Sequence, residues 1–430
     1  VVRLVGSEMC IRDRFNYMLN VVVIGGGFGG LKFLQRARSS KIQFTLIDKQ
    51  NHHLFQPLLY QVATAVLSPA NIAFPIRRMF KNFKNVKVIL DEATDINRED
   101  KTVTISSGEK IKYDQLVVST GSRHSYFGND DWSEYSNGLK GINDALQIRE
   151  RLLRAFEKAE NEKNIEKRNK YLNFVVVGGG PTGVEMAGSI AEIAYKNMKE
   201  EFRNFKSSDA NVYLIEATEK ILPMYSDRLS GKAEKYLIDF GVQVRTNEKV
   251  IKIENDLVVT DKESIETDNV IWAAGNEASP IIKKLNTKTD SEGRAIVDPD
   301  CSIKEDGNVF VIGDAANYKN KNNSTLPGIA PVAIQQGKYL AKIIKNKTLK
   351  QDRKPFKYYD KGMMATVGRY KAIGKIGNIE ISGFIAWLFW SAIHILYLIG
   401  YRSKILVVIE WIFSYLFNKK GTRLIYREPT

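Results

Sequence analysis

Short, unbroken apolar runs recur along this chain, and most of them end on glycine or on an acidic residue. Val21-Val22-Val23-Ile24, Phe44-Thr45-Leu46-Ile47, Leu116-Val117-Val118, Phe174-Val175-Val176-Val177, Val212-Tyr213-Leu214-Ile215, Val270-Ile271-Trp272 and Val309-Phe310-Val311-Ile312 are too short for helices. They lack the alternation of half-exposed strands and read as strands buried on both faces, as in a parallel sheet covered by helices. Helical periods fall between them. Leu31 to Ser39 reads as one helix. Another, capped by Asn143 or Asp144, runs to about Lys163 with Ala145, Ile148, Leu152, Phe156 and Ala159 on one face.

Two of the strands run into the same device. After Ile24 comes Gly25-Gly26-Gly27-Phe28-Gly29-Gly30, and after Val177 comes Gly178-Gly179-Gly180-Pro181-Thr182-Gly183. A buried strand, a G-x-G-x-x-G turn and a helix start form the cradle of a dinucleotide pyrophosphate. The next strand of each set ends in a carboxylate, Asp48 and Glu216, placed to accept hydrogen bonds from an adenosine ribose. At Glu216 that favours a free 2′-hydroxyl over a 2′-phosphate, and the next cation is Lys220. Thr120-Gly121 and Ala274-Gly275 are paired tight turns after later strands, and Asp314 follows the last one. The expected fold is α/β, with two Rossmann-like domains, the second inserted in the first. Residues 18–125 and 277–345 form one, 126–276 the other, and 346–430 a C-terminal membrane-associating helical region.

Charge sharpens this division. The chain carries a net +15, of which residues 338–430, with 18 Lys/Arg against 5 Asp/Glu, hold +13. A nucleic-acid binder spreads its basic residues over a reading surface; here a near-neutral body carries a basic, apolar tail, which points to an anionic membrane surface. Two cysteines, Cys10 and Cys301, exclude a disulfide framework and a C-x-x-C redox pair. The four histidines show no metal-ligand spacing, and His52 and His53 read as polar loop residues. Residues 1–17 have no signal-peptide pattern and read as a non-native leader, with Met18 the better start.

Three further stretches narrow the picture. They are Asn51-His52-His53-Leu54-Phe55-Gln56-Pro57-Leu58-Leu59-Tyr60-Gln61-Val62-Ala63-Thr64, Trp272-Ala273-Ala274-Gly275 with Ala278-Ser279-Pro280, and Asp360-Lys361-Gly362-Met363-Met364-Ala365-Thr366-Val367-Gly368. With the glycine turns they make residues 18–430 resemble the type II, non-proton-pumping NADH:quinone oxidoreductases among the two-dinucleotide flavoproteins. The resemblance implies FAD in the first unit, held by Gly25, Gly27, Gly30 and Asp48, with Thr120, Gly121, Asp314 and Ala330 around it. Lys361 would lie near the isoalloxazine, where a cation stabilises negative charge at the N1/C2=O edge. NADH would occupy the second unit on Gly178, Gly180, Gly183, Glu216, Ala274 and Gly275. Glu185 would lie near the nicotinamide and the quinone pocket, although its position equally fits a carboxylate capping a helix N-terminus. Many relatives carry Gln where this chain has Pro331, so one side-chain contact to the quinone is missing.

The implied reaction moves a hydride from NADH to FAD and then two electrons to a quinone, ubiquinone or menaquinone, at the cytoplasmic face of a bacterial inner membrane. Residues 381–401 hold no charge, but cations flank both sides and the next run, 405–417, has only 13 residues and includes Glu410. Two interfacial helices joined near Gly400-Tyr401-Arg402 are expected, making a peripheral, monotopic attachment through 381–417, with Trp387, Trp390 and Trp411 at the headgroup level. A homodimer interface or an ordinary domain core is the competing use of that apolar surface. Competing functions are a ferredoxin or rubredoxin reductase, which would not need the tail, and a membrane-attached NADH sensor. Sulfide:quinone and thioredoxin reductases need redox cysteines that Cys301 alone does not supply.

Overall fold

The computed structural model describes residues 18–37, 41–417 and 421–425; the suspected leader, 1–17, lies outside them. The chain divides into two compact units. The first takes the residues up to 53, 74–123 and 276–359, and the second takes 54–73, 124–275 and those from 360 onward. Residues 54–73, expected with the FAD-binding stretch, therefore cluster with the second unit, and so does most of the C-terminal region expected to stand apart.

The first unit is built on a six-stranded sheet in the order Ser302–Ile303, Asp306–Val311, Gln115–Val118, Leu19–Ile24, Ile42–Asp48, Val86–Leu90. Only the first pair is antiparallel. Val21, Val22, Val23, Leu116, Val117 and Phe310 are all buried, as the unalternating runs required. The glycine turn feeds the helix Phe28–Arg36 directly, with Gly27 as its N-cap, so that helix starts three residues before the expected Leu31. It crosses the helix Ala330–Lys345 closely: a Cβ on Gly337 would strike the carbonyl of Gly29, and Phe33 N at 3.0 Å.

The second unit repeats the plan. Its five strands, all parallel, lie in the order Ser136–Gly138, Asn269–Trp272, Asn173–Val177, Asn211–Ile215, Val242–Arg245. Each unit also carries a three-stranded antiparallel meander, 93–112 in the first and 250–266 in the second. The helix Ile142–Asn161 buries the expected Ala145, Ile148, Leu152, Phe156 and Ala159. Its cap differs from expectation. Gly141 is the N-cap, and Asp144, one turn inside, accepts from the Gly141 and Lys140 backbone N–H groups at 2.8 and 2.9 Å.

A third meander, Met363–Gly368, Lys371–Ile376 and Ile379–Gly383, leads into two helices, Phe384–Tyr397 and Tyr401–Phe417, joined at Gly400 with φ +89°. No helix among the described residues is long and apolar enough to cross a membrane. The tryptophans depart from expectation: Trp387, Trp390 and Trp411 are 9%, 1% and 5% exposed. Trp390 and Trp411 face each other at 5.6 Å, and the Trp411 indole donates to Gln61 Oε1 at 2.7 Å. An indole N–H that finds a buried acceptor is satisfied inside the protein and has no need of the headgroup layer. The exposed face is aliphatic and phenyl instead: Phe384, Ile385, Leu388 and Phe389 on the first helix, Ile412 and Phe413 among others on the second.

The glycine-turn helix of the second unit, Pro181–Glu192, lies against this third meander. A Cβ on Gly188 would strike the Val367 carbonyl, which is backbone and cannot rotate away. Gly188→Ala should therefore cost about 1–3 kcal/mol of stability through overpacking, seen as a lower unfolding midpoint, while Gly231→Ala, at a position open on all sides, leaves the midpoint unchanged or slightly raised.

Candidate active site

Each glycine turn is fixed by the carboxylate that follows it. In the first unit Gly25 has φ +97° and an added Cβ would meet the Ser119 carbonyl at 2.5 Å, so only glycine makes the turn. Asp48 Oδ2 accepts the Gly26 N–H at 2.5 Å, and Asp48 Oδ1 accepts the Gln50 N–H at 2.7 Å. Burial raises the Asp48 carboxyl above its ordinary value, against the pull of those two backbone donors. In the second unit Gly178 has φ +108° and closes on the backbone of Ala273 and Ala274. Glu216 Oε2 accepts the Gly179 N–H at 2.6 Å, while Oε1 accepts from Thr218 N and Oγ1, both at 2.8 Å.

The remaining members of the first set gather in the same unit. Thr120 Oγ1 is shielded from solvent and finds no partner among the described residues. Gly121, with φ +68°, faces open space. Asp314 sits in a short 3-10 turn and accepts from Ser122 Oγ at 3.1 Å. Ala330 is the first residue of its helix, with Pro331 in the first turn, where a missing N–H costs nothing. The spaces fit a dinucleotide: a Cβ on Gly27 would find nothing nearer than 3.8 Å, and one on Gly180 nothing within 4 Å. In each turn the backbone of the second glycine is thus open to a pyrophosphate.

Sequence reasoning missed three supports. Ser119 Oγ donates to the carbonyls of Ile24 and Gly25 at 3.1 and 2.8 Å. His53 is no polar loop residue. It is 2% exposed, its Nδ1 meets the Gly26 carbonyl at 3.3 Å, and Phe28 packs on it edge-on. Burial pushes His53 down to about 4, which keeps the imidazole neutral. Gln336, also buried, accepts the Gly313 N–H at 2.7 Å. The signal for all three lay in their place beside a turn; their residue types alone carried none.

Glu185, Gly183, Ala274 and Gly275 lie with Gly178, Gly180 and Glu216 in the second unit. Glu185 is the fifth residue of the helix that starts at Pro181, too far in to cap it. Burial pushes its carboxyl up to about 8, against the opposing pull of the nearby Thr366 backbone. Burial raises the Tyr60 and Tyr225 phenols, and the nearby Glu185 charge adds to it. Lys361 also belongs to the second unit, where its Nζ donates to the Tyr397 hydroxyl at 3.2 Å. Among the described residues no cluster of His, Cys, Asp or Glu could hold a metal ion.

Comparison with known proteins matches residues 19–337 to the pyridine nucleotide-disulphide oxidoreductase family and residues 361–420 to the NDH2 C-terminal domain. Two type II NADH:quinone oxidoreductases of Mycobacterium tuberculosis are 41% and 39% identical, over 93% and 94% of this chain and 89% of each relative. A probable NADH dehydrogenase of Dictyostelium discoideum is 33% identical over 93% of this chain and 90% of its own length. An NDH2 of Plasmodium falciparum, solved with NADH, has the same fold, with a TM-score of 0.87 at 22% identity over 95% of this chain and 100% of that one.

The raised Glu185 carboxyl has a consequence for stability. Between 4.5 and about 8 the folded protein holds a proton there that the unfolded chain has lost. Stability at this site is therefore complete below pH 4.5 and declines as pH rises toward 8, by about 1.4 kcal/mol for each pKa unit. Glu185→Gln should remove that decline, so its unfolding midpoint should overtake that of the parent as pH rises from 5 to 8. Parallel midpoints across this range would place the carboxyl near its ordinary value.

Proposed function

This chain belongs to the type II NADH:quinone oxidoreductases, within the pyridine nucleotide-disulphide oxidoreductase family, and from that membership we propose how its residues divide the oxidation of NADH and the reduction of a quinone. When bound, FAD supplies the two-electron relay between the two substrates, without proton pumping.

The first unit holds FAD: Gly25, Gly27 and Gly30 shape the turn, Asp48 takes the adenosine ribose, and Thr120, Gly121, Asp314 and Ala330 line the rest. The second holds NADH on Gly178, Gly180 and Gly183, with Glu216 at the ribose and Ala274 and Gly275 farther along. Glu216 already spends both oxygens on Gly179 and Thr218, so a 2′-phosphate would meet a fixed negative charge and NADH is preferred over NADPH. Lys361 provides the cation for the flavin ring. Glu185, protonated at neutral pH, holds one of the protons that a reduced quinone must take up. The observation that carries this reading is the repeated turn, locked by Asp48 in one unit and Glu216 in the other.

The two C-terminal helices are assigned to an anionic membrane surface, where the protein sits as a peripheral attachment. Their outward aliphatic and phenyl face supplies the apolar contact. Residues 338–430 carry a net +13, which draws the tail to acidic lipid and sets it against a second copy of itself.

Under anaerobic conditions NADH should bleach the bound flavin within the mixing time of a stopped-flow instrument and NADPH much more slowly, and a ubiquinone or menaquinone analogue should restore the yellow colour. A flavin that NADH leaves oxidised would overturn the reading. Leu388→Asp with Ile412→Asp should abolish co-sedimentation with phosphatidylglycerol vesicles while NADH still bleaches the flavin. Unchanged sedimentation, or a shift from dimer to monomer as the sole effect, would move that face to another partner.

A further inference from the structure

The second unit places a large aromatic side chain in a costly conformation beside the NADH turn. Phe127 has φ +54°, a region in which a bulky L-residue is strained by about 1–2 kcal/mol. It is also 68% exposed, so burial of its own ring does not offset that cost. Its surroundings hold it there. Its N–H meets Ser125 Oγ at 3.3 Å, and Asn129 Nδ2 donates to the carbonyls of Tyr126 and Phe127. The Trp272 indole donates to the Ser125 carbonyl at 2.9 Å, tying the loop to the end of the strand Asn269–Trp272, second in its sheet.

The ring stands on Gly275. A Cβ there would meet Phe127 Cζ at 2.6 Å, and the ring lies edge-on to Trp272 at 6.3 Å. Strand order fixes what should pass beside it. Asn211–Ile215, Asn173–Val177 and Asn269–Trp272 are adjacent and parallel, and their carboxyl ends carry Glu216, the Gly178 turn and Ala274-Gly275 in that order. A dinucleotide laid across them, with its adenosine ribose on Glu216 and its pyrophosphate on the Gly178 turn, extends its nicotinamide half toward Gly275.

We propose that Phe127 is a positioning residue for the nicotinamide half of NADH: an aromatic stop, held at left-handed φ by its loop, that packs against the nicotinamide ring at the Gly275 end of the site. This rests on the assignment of NADH to the second unit. It gives the strain a purpose, since a residue in an ordinary conformation would not carry the ring over Gly275. The adenosine half, two strands away, gains nothing from Phe127.

The test is equilibrium binding to the FAD-loaded protein by calorimetry, with NAD+ and with ADP-ribose, which lacks the nicotinamide ring. Phe127→Gly should relieve the strained φ, so its unfolding midpoint should equal or exceed that of the parent. Its Kd for NAD+ should rise about fivefold, the size of one aromatic contact, with ADP-ribose binding unchanged, and Phe127→Tyr should restore NAD+ binding. In turnover, Phe127→Gly should raise the KM for NADH and leave the KM for quinone alone. Equal effects on both ligands, no effect on either, or a lowered midpoint would overturn the assignment and leave Phe127 as loop packing. A parent protein that binds neither ligand would instead sink the NADH assignment itself.

Discussion

The constraint on which both cofactor sites depend is a short hydrogen bond from a backbone N–H in the middle of a glycine turn to the carboxylate that ends the next strand. Asp48 makes it to Gly26 and Glu216 makes it to Gly179. The neighbouring strands are in register up to that point, Ile24 beside Ile47 and Val177 beside Ile215, so each carboxylate arrives at its turn through sheet pairing alone. The same side chain thus does two things. It orients the turn, and it presents fixed negative charge where a ribose hydroxyl can donate. The lock also fixes the carboxylate in place, because it cannot swing aside without releasing the glycine N–H.

Around the locks, glycines permit close backbone approach where the helices must settle. Gly337 lets the Ala330 helix cross the first turn's helix at Gly29, and Gly188 lets the second turn's helix lie on the carbonyl of Val367. The second contact bears directly on chemistry. It brings the Thr366 backbone near Glu185, where burial, the larger effect, raises the carboxyl while that backbone favours its charged form. The raised carboxyl of Glu185 is thus a product of packing around the helix Pro181–Glu192.

Much of this was legible in the sequence, because glycine turns and unalternating apolar runs are local signals. The strands, both turns, both acidic strand ends and the buried face of the Ile142–Asn161 helix follow from periodicity and spacing. What escaped depends on partners far along the chain. His53 looked like a loop residue until the fold set it against Gly26. Asp144 looked like a cap and proved to brace the cap from within. Residues 54–73 looked like part of the first domain by order. Their helix Leu59–Ala63 nevertheless carries Gln61, whose side chain joins Tyr60 to Trp411, 350 positions downstream.

In the tail, composition pointed to an apolar surface but named the wrong residues for it. Tryptophan content suggested interfacial anchoring, but a buried indole needs an acceptor, and Gln61 provides one for Trp411 inside the unit. That bond, with Trp390 packed beside it, turns the aromatic side of both helices inward and leaves phenylalanine, leucine and isoleucine facing out. Those side chains carry no donors, so an apolar phase can accept them without leaving a polar group unsatisfied, while Tyr397 and Tyr401 are also exposed on these helices.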